Sequence, residues 1–162
     1  YNVVPDVLLV AKGIGGGMPI GAFISSAEIM SVLSHTPILG HMTTFGGHPV
    51  CCAAGLATLN TLVNESIVKG VDAKGELFKK LLVHPAIKEI RGKGLMLAVE
   101  FSDFETNKAI IDACIEDGLI SDWFLHCNNS MRIAPPLIIT EEEIKASCEI
   151  ILKNINLVIN PN

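Results

Sequence analysis

Residues 7–10, Val-Leu-Leu-Val, form an unbroken apolar run between Asp6 and a glycine cluster. Such a run predicts a short strand of the kind buried on both faces of a parallel sheet. Residues 22–25 read as a second strand, and Ser26 stands where an N-cap would open a short helix. Residues 34–49, SHTPILGHMTTFGGHP, lack any period and are polar and glycine-rich. Loops of that length in compact domains usually carry function. Pro49 then occupies the favoured first position of a helix. The face Cys51, Cys52, Ala54, Gly55, Ala57, Thr58 is small enough to admit another backbone at close range.

A further helix is predicted over residues 65–82, with His84-Pro85 as a break. Residues 87–101, IKEIRGKGLMLAVEF, read as strand, glycine turn and strand. Leu95, Leu97, Val99 and Phe101 alternate there with Met96, Ala98 and Glu100, the period of a half-buried strand. Residues 104–117 predict a helix closed by Gly118. Short strands are expected at 119–121 and 131–134, around a polar turn formed by residues 127–130, CNNS. Thr140 and Glu143 have the spacing of a capping box, ahead of a stripe of Ile144, Cys148, Ile151 and Ile155. The first third thus reads as doubly wound α/β with a loop-borne site. The last half reads as a compact α+β unit, and the boundary is expected between residues 64 and 84.

Composition narrows the function classes. Of 162 residues, 49% are hydrophobic and 18% charged, which supports a buried core and excludes a disordered chain. A mean hydropathy of +0.47 without an apolar stretch long enough for a membrane points to surfaces that meet other protein. The net charge of −5, with no basic stripe, argues against nucleic acid or anionic membranes as partners. Five cysteines without CxxC spacing read as reduced thiols of a cytoplasmic protein, not as a disulfide frame. No two histidines have metal-ligand spacing on one helix, so no metal is expected. The chain opens on Tyr1 inside a β-type pattern, and it is expected to be part of a longer polypeptide.

Three features carry chemistry. Lys12 follows the apolar strand and precedes Gly13, Gly15, Gly16 and Gly17. It is either a cation whose stem lies along apolar surface or a lysine desolvated so that its neutral amine can attack a carbonyl. The glycines leave room for a flat group, but they match neither phosphate-loop nor dinucleotide fingerprints, which argues against a dehydrogenase reading. Thr43 and Thr44 lie beside Gly46-Gly47, ahead of the helix at Pro49. They are either ordinary loop and capping residues or hydroxyl donors for a phosphate. Arg132 is the only cation in the apolar, proline-rich stretch MRIAPPL, residues 131–137. It is either an exposed edge-strand arginine or a fork for a carboxylate. Together, an amine for a carbonyl, hydroxyls for a phosphate and a guanidinium for a carboxylate describe pyridoxal phosphate and an amino acid.

The stretch PDVLLVAKGIGGGMPIGA resembles the lysine motif of the class III, or omega-type, aminotransferases. HMTTFGGHP is similar to their threonine loop, and RGKGLMLAVE and MRIAPPLIITEEEI to motifs of their C-terminal domain. The resemblance implies an α/β fold, part of a fold-type I large domain followed by the α+β small domain. Residues 1–64 would close the large, cofactor-binding domain; residues 65–162 would form the small domain with its connecting helix. Lys12 would hold pyridoxal 5′-phosphate as a Schiff base and shuttle the proton. Thr44, with Thr43 beside it, would reach the phosphate of a neighbouring copy, and Arg132 would pair with a substrate carboxylate. The implied partners are an amino-acid or omega-amino donor, a 2-oxo acid acceptor and a second copy in a homodimer with shared sites. His48 and Met42 depart from the family pattern. The resemblance covers only the C-terminal part of such an enzyme. The aromatic that stacks on the ring and the acid that pairs with its nitrogen are not in this stretch. The chain alone is therefore expected to be inactive. The alternative is a truncated piece that folds and binds nothing.

Overall fold

The computed structural model describes residues 2–160; Tyr1, Pro161 and Asn162 lie outside the described residues. The chain divides into two compact units between Ser66 and Ile67.

In the first unit, β1 (Val7–Ala11) runs into a tight 3-10 turn (Lys12–Gly15) and returns as β2 (Gly21–Ser25). The two strands pair antiparallel, with Leu9 opposite Phe23 and Ala11 opposite Gly21. Among the described residues the pairing of β1 is thus antiparallel, where a parallel sheet was expected. The ribbon is two-stranded, and Leu8, Leu9, Phe23 and Ile24 are all exposed within this chain. The apolar run is real, but nothing in the described residues covers it. Ser26 caps α1 (Ala27–Ser31) by accepting from the Ile29 amide at 3.3 Å. The expected loop follows, and α2 (Pro49–Asn64) begins at its proline. His48 holds the N-cap position of α2 without a side-chain capping bond.

The second unit opens with a 3-10 turn (Ile67–Gly70) that leads into α3 (Val71–Leu81). The helix expected from residue 65 starts later because Ser66 takes a left-handed φ of 54°, which ends the preceding helix. β3 (Glu89–Lys93) and β4 (Met96–Glu100) form the expected hairpin. After α4 (Phe104–Glu116) come β5 (Asp122–Phe124) and β6 (Cys127–Ile133), and α5 (Glu141–Ile159) ends the chain. The sheet is antiparallel in the order β3-β4-β6-β5. The polar stretch at 127–130 lies inside β6, and the turn is Leu125-His126, not CNNS. Its side chains can sit in a strand because they are paired: Asn129 Nδ2 donates to the Phe101 carbonyl at 3.3 Å, and buried Ser130 joins an arginine-centred network.

The alternation in β4 follows the expectation except at Ala98, which was placed on the outward face and is buried. Leu97 and Val99 are fully buried, while Met96 is 55% exposed. They meet Ile110 and Ile111 of α4, Met131 of β6 and the stripe Ile144, Cys148, Ile151, Ile155 of α5 in one core. α4 closes at Gly118, whose φ is 86°; Gly118 N–H donates to the Ile115 carbonyl and Leu119 N–H to the Cys114 carbonyl. α5 opens on the capping box between Thr140 and Glu143. α3 crosses the β3–β4 turn so closely that a β-carbon on Gly75 would stand 2.1 Å from the Gly94 carbonyl oxygen.

Candidate active site

Lys12 is delivered by β1 to the first position of the 3-10 turn, and its φ is +56°. A non-glycine residue there is strained, and strain of this kind persists only where the surroundings over-determine it. The surroundings do so through glycine. Gly16, also left-handed, closes the turn by donating to the Gly13 carbonyl at 3.2 Å, and Met18 N–H donates to the Gly15 carbonyl at 3.0 Å. The far side of the turn rests on the small-featured face of α2. A β-carbon on Gly55 would lie 3.4 Å from the Ile14 carbonyl oxygen, and one on Gly16 would run into Thr58. Thr58 is itself fixed, donating its hydroxyl to the Ala54 carbonyl at 2.9 Å. The near side is open: nothing lies within 4 Å of where a β-carbon on Gly13 or Gly17 would be. Lys12 is exposed, so the described residues do not supply the water-shielded pocket expected around its amine.

Thr43 and Thr44 lie in the loop before α2, both exposed. Gly46 N–H donates back to the Thr43 carbonyl at 3.3 Å, and His48 N–H to the Phe45 carbonyl at 3.3 Å, so the segment is a succession of turns. Phe45 between them is 81% exposed. Lys12, Thr43 and Thr44 belong to the first unit and Arg132 to the second.

Arg132 is not on an edge strand, because β6 lies between β4 and β5. It stands directly opposite Asp122 of β5, and its Nη2 donates to Asp122 Oδ2 at 3.1 Å. The arginine side chain keeps 40% of its surface exposed. The sequence reading did not single out Asp122, since cross-strand pairing of residues 122 and 132 depends on where the hairpin turns. It also missed a second cluster. Glu89 and Glu100 face each other across β3 and β4, and Arg91 donates to both. Its other nitrogen reaches Cys127 Sγ at 3.1 Å and Ser130 Oγ at 3.4 Å. The hydrogen bond to Glu100 holds the guanidinium pKa above its ordinary value. The only signal for this cluster in the sequence was a charged residue at an outward position of each hairpin strand.

A lysine at a strand-to-turn junction, backed by a small-residue helix and followed by an antiparallel α+β unit, defines a class of protein: the transaminase fold of the fold-type I pyridoxal-phosphate enzymes. A Toxoplasma gondii ornithine aminotransferase, whose structure shows partial occupancy of PLP at the active site, superposes with a TM-score of 0.85 at 34% identity, covering 98% of this chain and 38% of that one. A Bacillus anthracis aminotransferase superposes with a TM-score of 0.86 at 30% identity, over 96% of this chain and 40% of that one. The chain belongs to the class III aminotransferase family, which it matches over residues 1–155. It is 43% identical over 156 residues to an acetylornithine aminotransferase of Caldanaerobacter subterraneus subsp. tengcongensis, covering 93% of this chain and 38% of that protein. The chain thus spans about two fifths of the length of these relatives.

Proposed function

We propose that this chain works in pyridoxal-phosphate-dependent transamination between an amino-acid or omega-amino donor and a 2-oxo acid, as part of an active site completed by the further length its relatives carry. The observation that supports this most directly is Lys12, a strained, exposed lysine at the open side of a turn clamped against α2. The residues present fit the cofactor: an amine, two hydroxyls in a glycine loop, and unfilled space at Gly13 and Gly17. When bound, pyridoxal phosphate supplies an aldehyde that condenses with amines and a ring that accepts an electron pair.

The chain's own residues have separate tasks in this reading. The Lys12 amine, once neutral, would anchor the cofactor covalently and move a proton at the substrate carbon that bears the amine. The Thr43 and Thr44 hydroxyls donate to phosphate oxygens, and in a homodimer they serve the neighbouring copy. Arg132 takes a substrate carboxylate with the donors it has not given to Asp122. The exposed apolar residues of the first unit, such as Leu9, Phe45 and Leu56, suit burial in a larger assembly. The chain alone, with Lys12 open to water, does not turn over substrate.

The test is covalent. An intact class III enzyme carrying this chain is loaded with pyridoxal phosphate, reduced with borohydride and digested. The label is expected on the peptide containing Lys12 and is absent in Lys12→Ala. A label carried by another lysine overturns the assignment.

A further inference from the structure

Arg132 meets a carboxylate before any substrate arrives. Among the described residues, Asp122 is the only hydrogen-bond or ionic partner of the Arg132 side chain. The pair is built, not incidental. The two residues are opposite one another in the β5–β6 register, and the strand is pinned there by Ser121 Oγ donating to the Arg132 carbonyl at 2.8 Å. The Asp122 carboxylate is also oriented from its own backbone, since Oδ1 accepts from the Trp123 amide at 2.8 Å while Oδ2 accepts from Arg132. Trp123 is in turn set edge-on against Phe104 at a centroid distance of 5.4 Å. The acid is thus held by the sheet and by an aromatic contact. It engages one nitrogen of the guanidinium and leaves the other donors of the fork unpaired.

Two consequences follow from Coulomb's law. The site as it stands is close to neutral, so an incoming carboxylate is attracted by Arg132 and repelled by Asp122. Both side chains remain partly exposed, at 40% and 51%, so the penalty is modest rather than prohibitive.

We propose that Asp122 is a specificity-determining residue of the Arg132 site: a resident counter-carboxylate that weakens capture of carboxylate substrates and favours their release. This rests on the reading of Arg132 as a substrate-carboxylate ligand. It adds a residue that sets how tightly that ligand holds.

The experiment uses the intact holoenzyme carrying this chain, with 2-oxoglutarate as the acceptor. Asp122→Asn removes the charge and keeps one of the two accepting oxygens, enough to serve either Arg132 or the Trp123 amide but not both. Its KM for 2-oxoglutarate is expected to fall about threefold to tenfold, with the change on KM rather than kcat. Inhibition by chloride should strengthen in parallel, a response that loss of a purely structural contact does not produce. An unchanged KM overturns the proposal. A raised KM overturns it too, showing that Asp122 only positions the guanidinium. Arg132→Gln in the same enzyme separates the two levels. If it leaves the KM for 2-oxoglutarate unchanged, the reading of Arg132 fails. If it raises KM while Asp122→Asn has no effect, only the present inference fails.

Discussion

Gly16 and Thr58 stand so close that a β-carbon on the glycine would lie 2.2 Å from the threonine Oγ1. The glycine also has a φ of +57°, so sterics and backbone both select it. This contact joins the turn that carries Lys12 to α2, and it explains why that helix face is built from alanine, glycine and threonine.

Gly16→Ala should therefore destabilise the first unit by about 1–3 kcal/mol. Adding Thr58→Ala should recover the steric share of the loss but not the share due to the left-handed backbone. Native-state hydrogen exchange at the Gly16 and Met18 amides measures both. Equal protection in wild type and Gly16→Ala would contradict the packing argument.

The Arg91 cluster should be structural. Removing the guanidinium in Arg91→Ala leaves Glu89 and Glu100 facing each other and strips a partner from buried Ser130. The expected loss is about 1–3 kcal/mol, read from urea unfolding with Trp123 fluorescence. Arg91→Lys should recover only part of it, because an ammonium cannot span two carboxylates and a thiol in one plane.

Acid should destabilise the second unit in part through three carboxylates. Asp103 is held below its usual range by the Ser102 hydroxyl and the Thr106 amide. Asp117 is lowered by Lys153 and Asn154, and Glu143 by the Thr140 amide and hydroxyl. Each has a depressed folded pKa, so its contribution is present above the unfolded value and is lost as pH falls through the folded one. The Tm should hold near neutral pH and decline below about pH 4. Asp117→Asn should flatten part of that decline.

The cysteines should sort by burial. Desolvation pushes Cys148 up to about 12 and Cys114 up to about 11, so both stay as thiols at neutral pH. A disulfide exchange reagent at neutral pH should modify exposed Cys52 readily and leave Cys114 and Cys148 untouched until the chain is unfolded. Raised folded values also mean that stability falls as pH climbs from the ordinary thiol range towards those values.

The helix caps give the smallest effect. Thr140→Ala removes the side-chain half of the capping box, the acceptor for the Glu143 amide, and leaves the residue-140 amide to Glu143; it should cost about 1 kcal/mol, measured by thermal unfolding. Thr140→Ser should cost much less.

Much of this protein was written locally. Pro49 starts α2, Ser26 and Thr140 cap their helices, and Gly118 stops α4, because each depends on the dihedrals and hydrogen bonds of a few neighbouring residues. The alternation through β4 is local too, since side chains on a strand must point to opposite faces. The lysine, threonine and arginine motifs were legible as residue types beside glycine or proline. What faces what was not. Tertiary structure alone decided that β1 pairs antiparallel with β2, that residues 127–130 form a strand, and that Arg132 meets Asp122. Strand pairing is set by contacts between residues far apart in the chain and by the turn that aligns them. A shift of one residue in that turn would put Asp122 on the other face of the sheet.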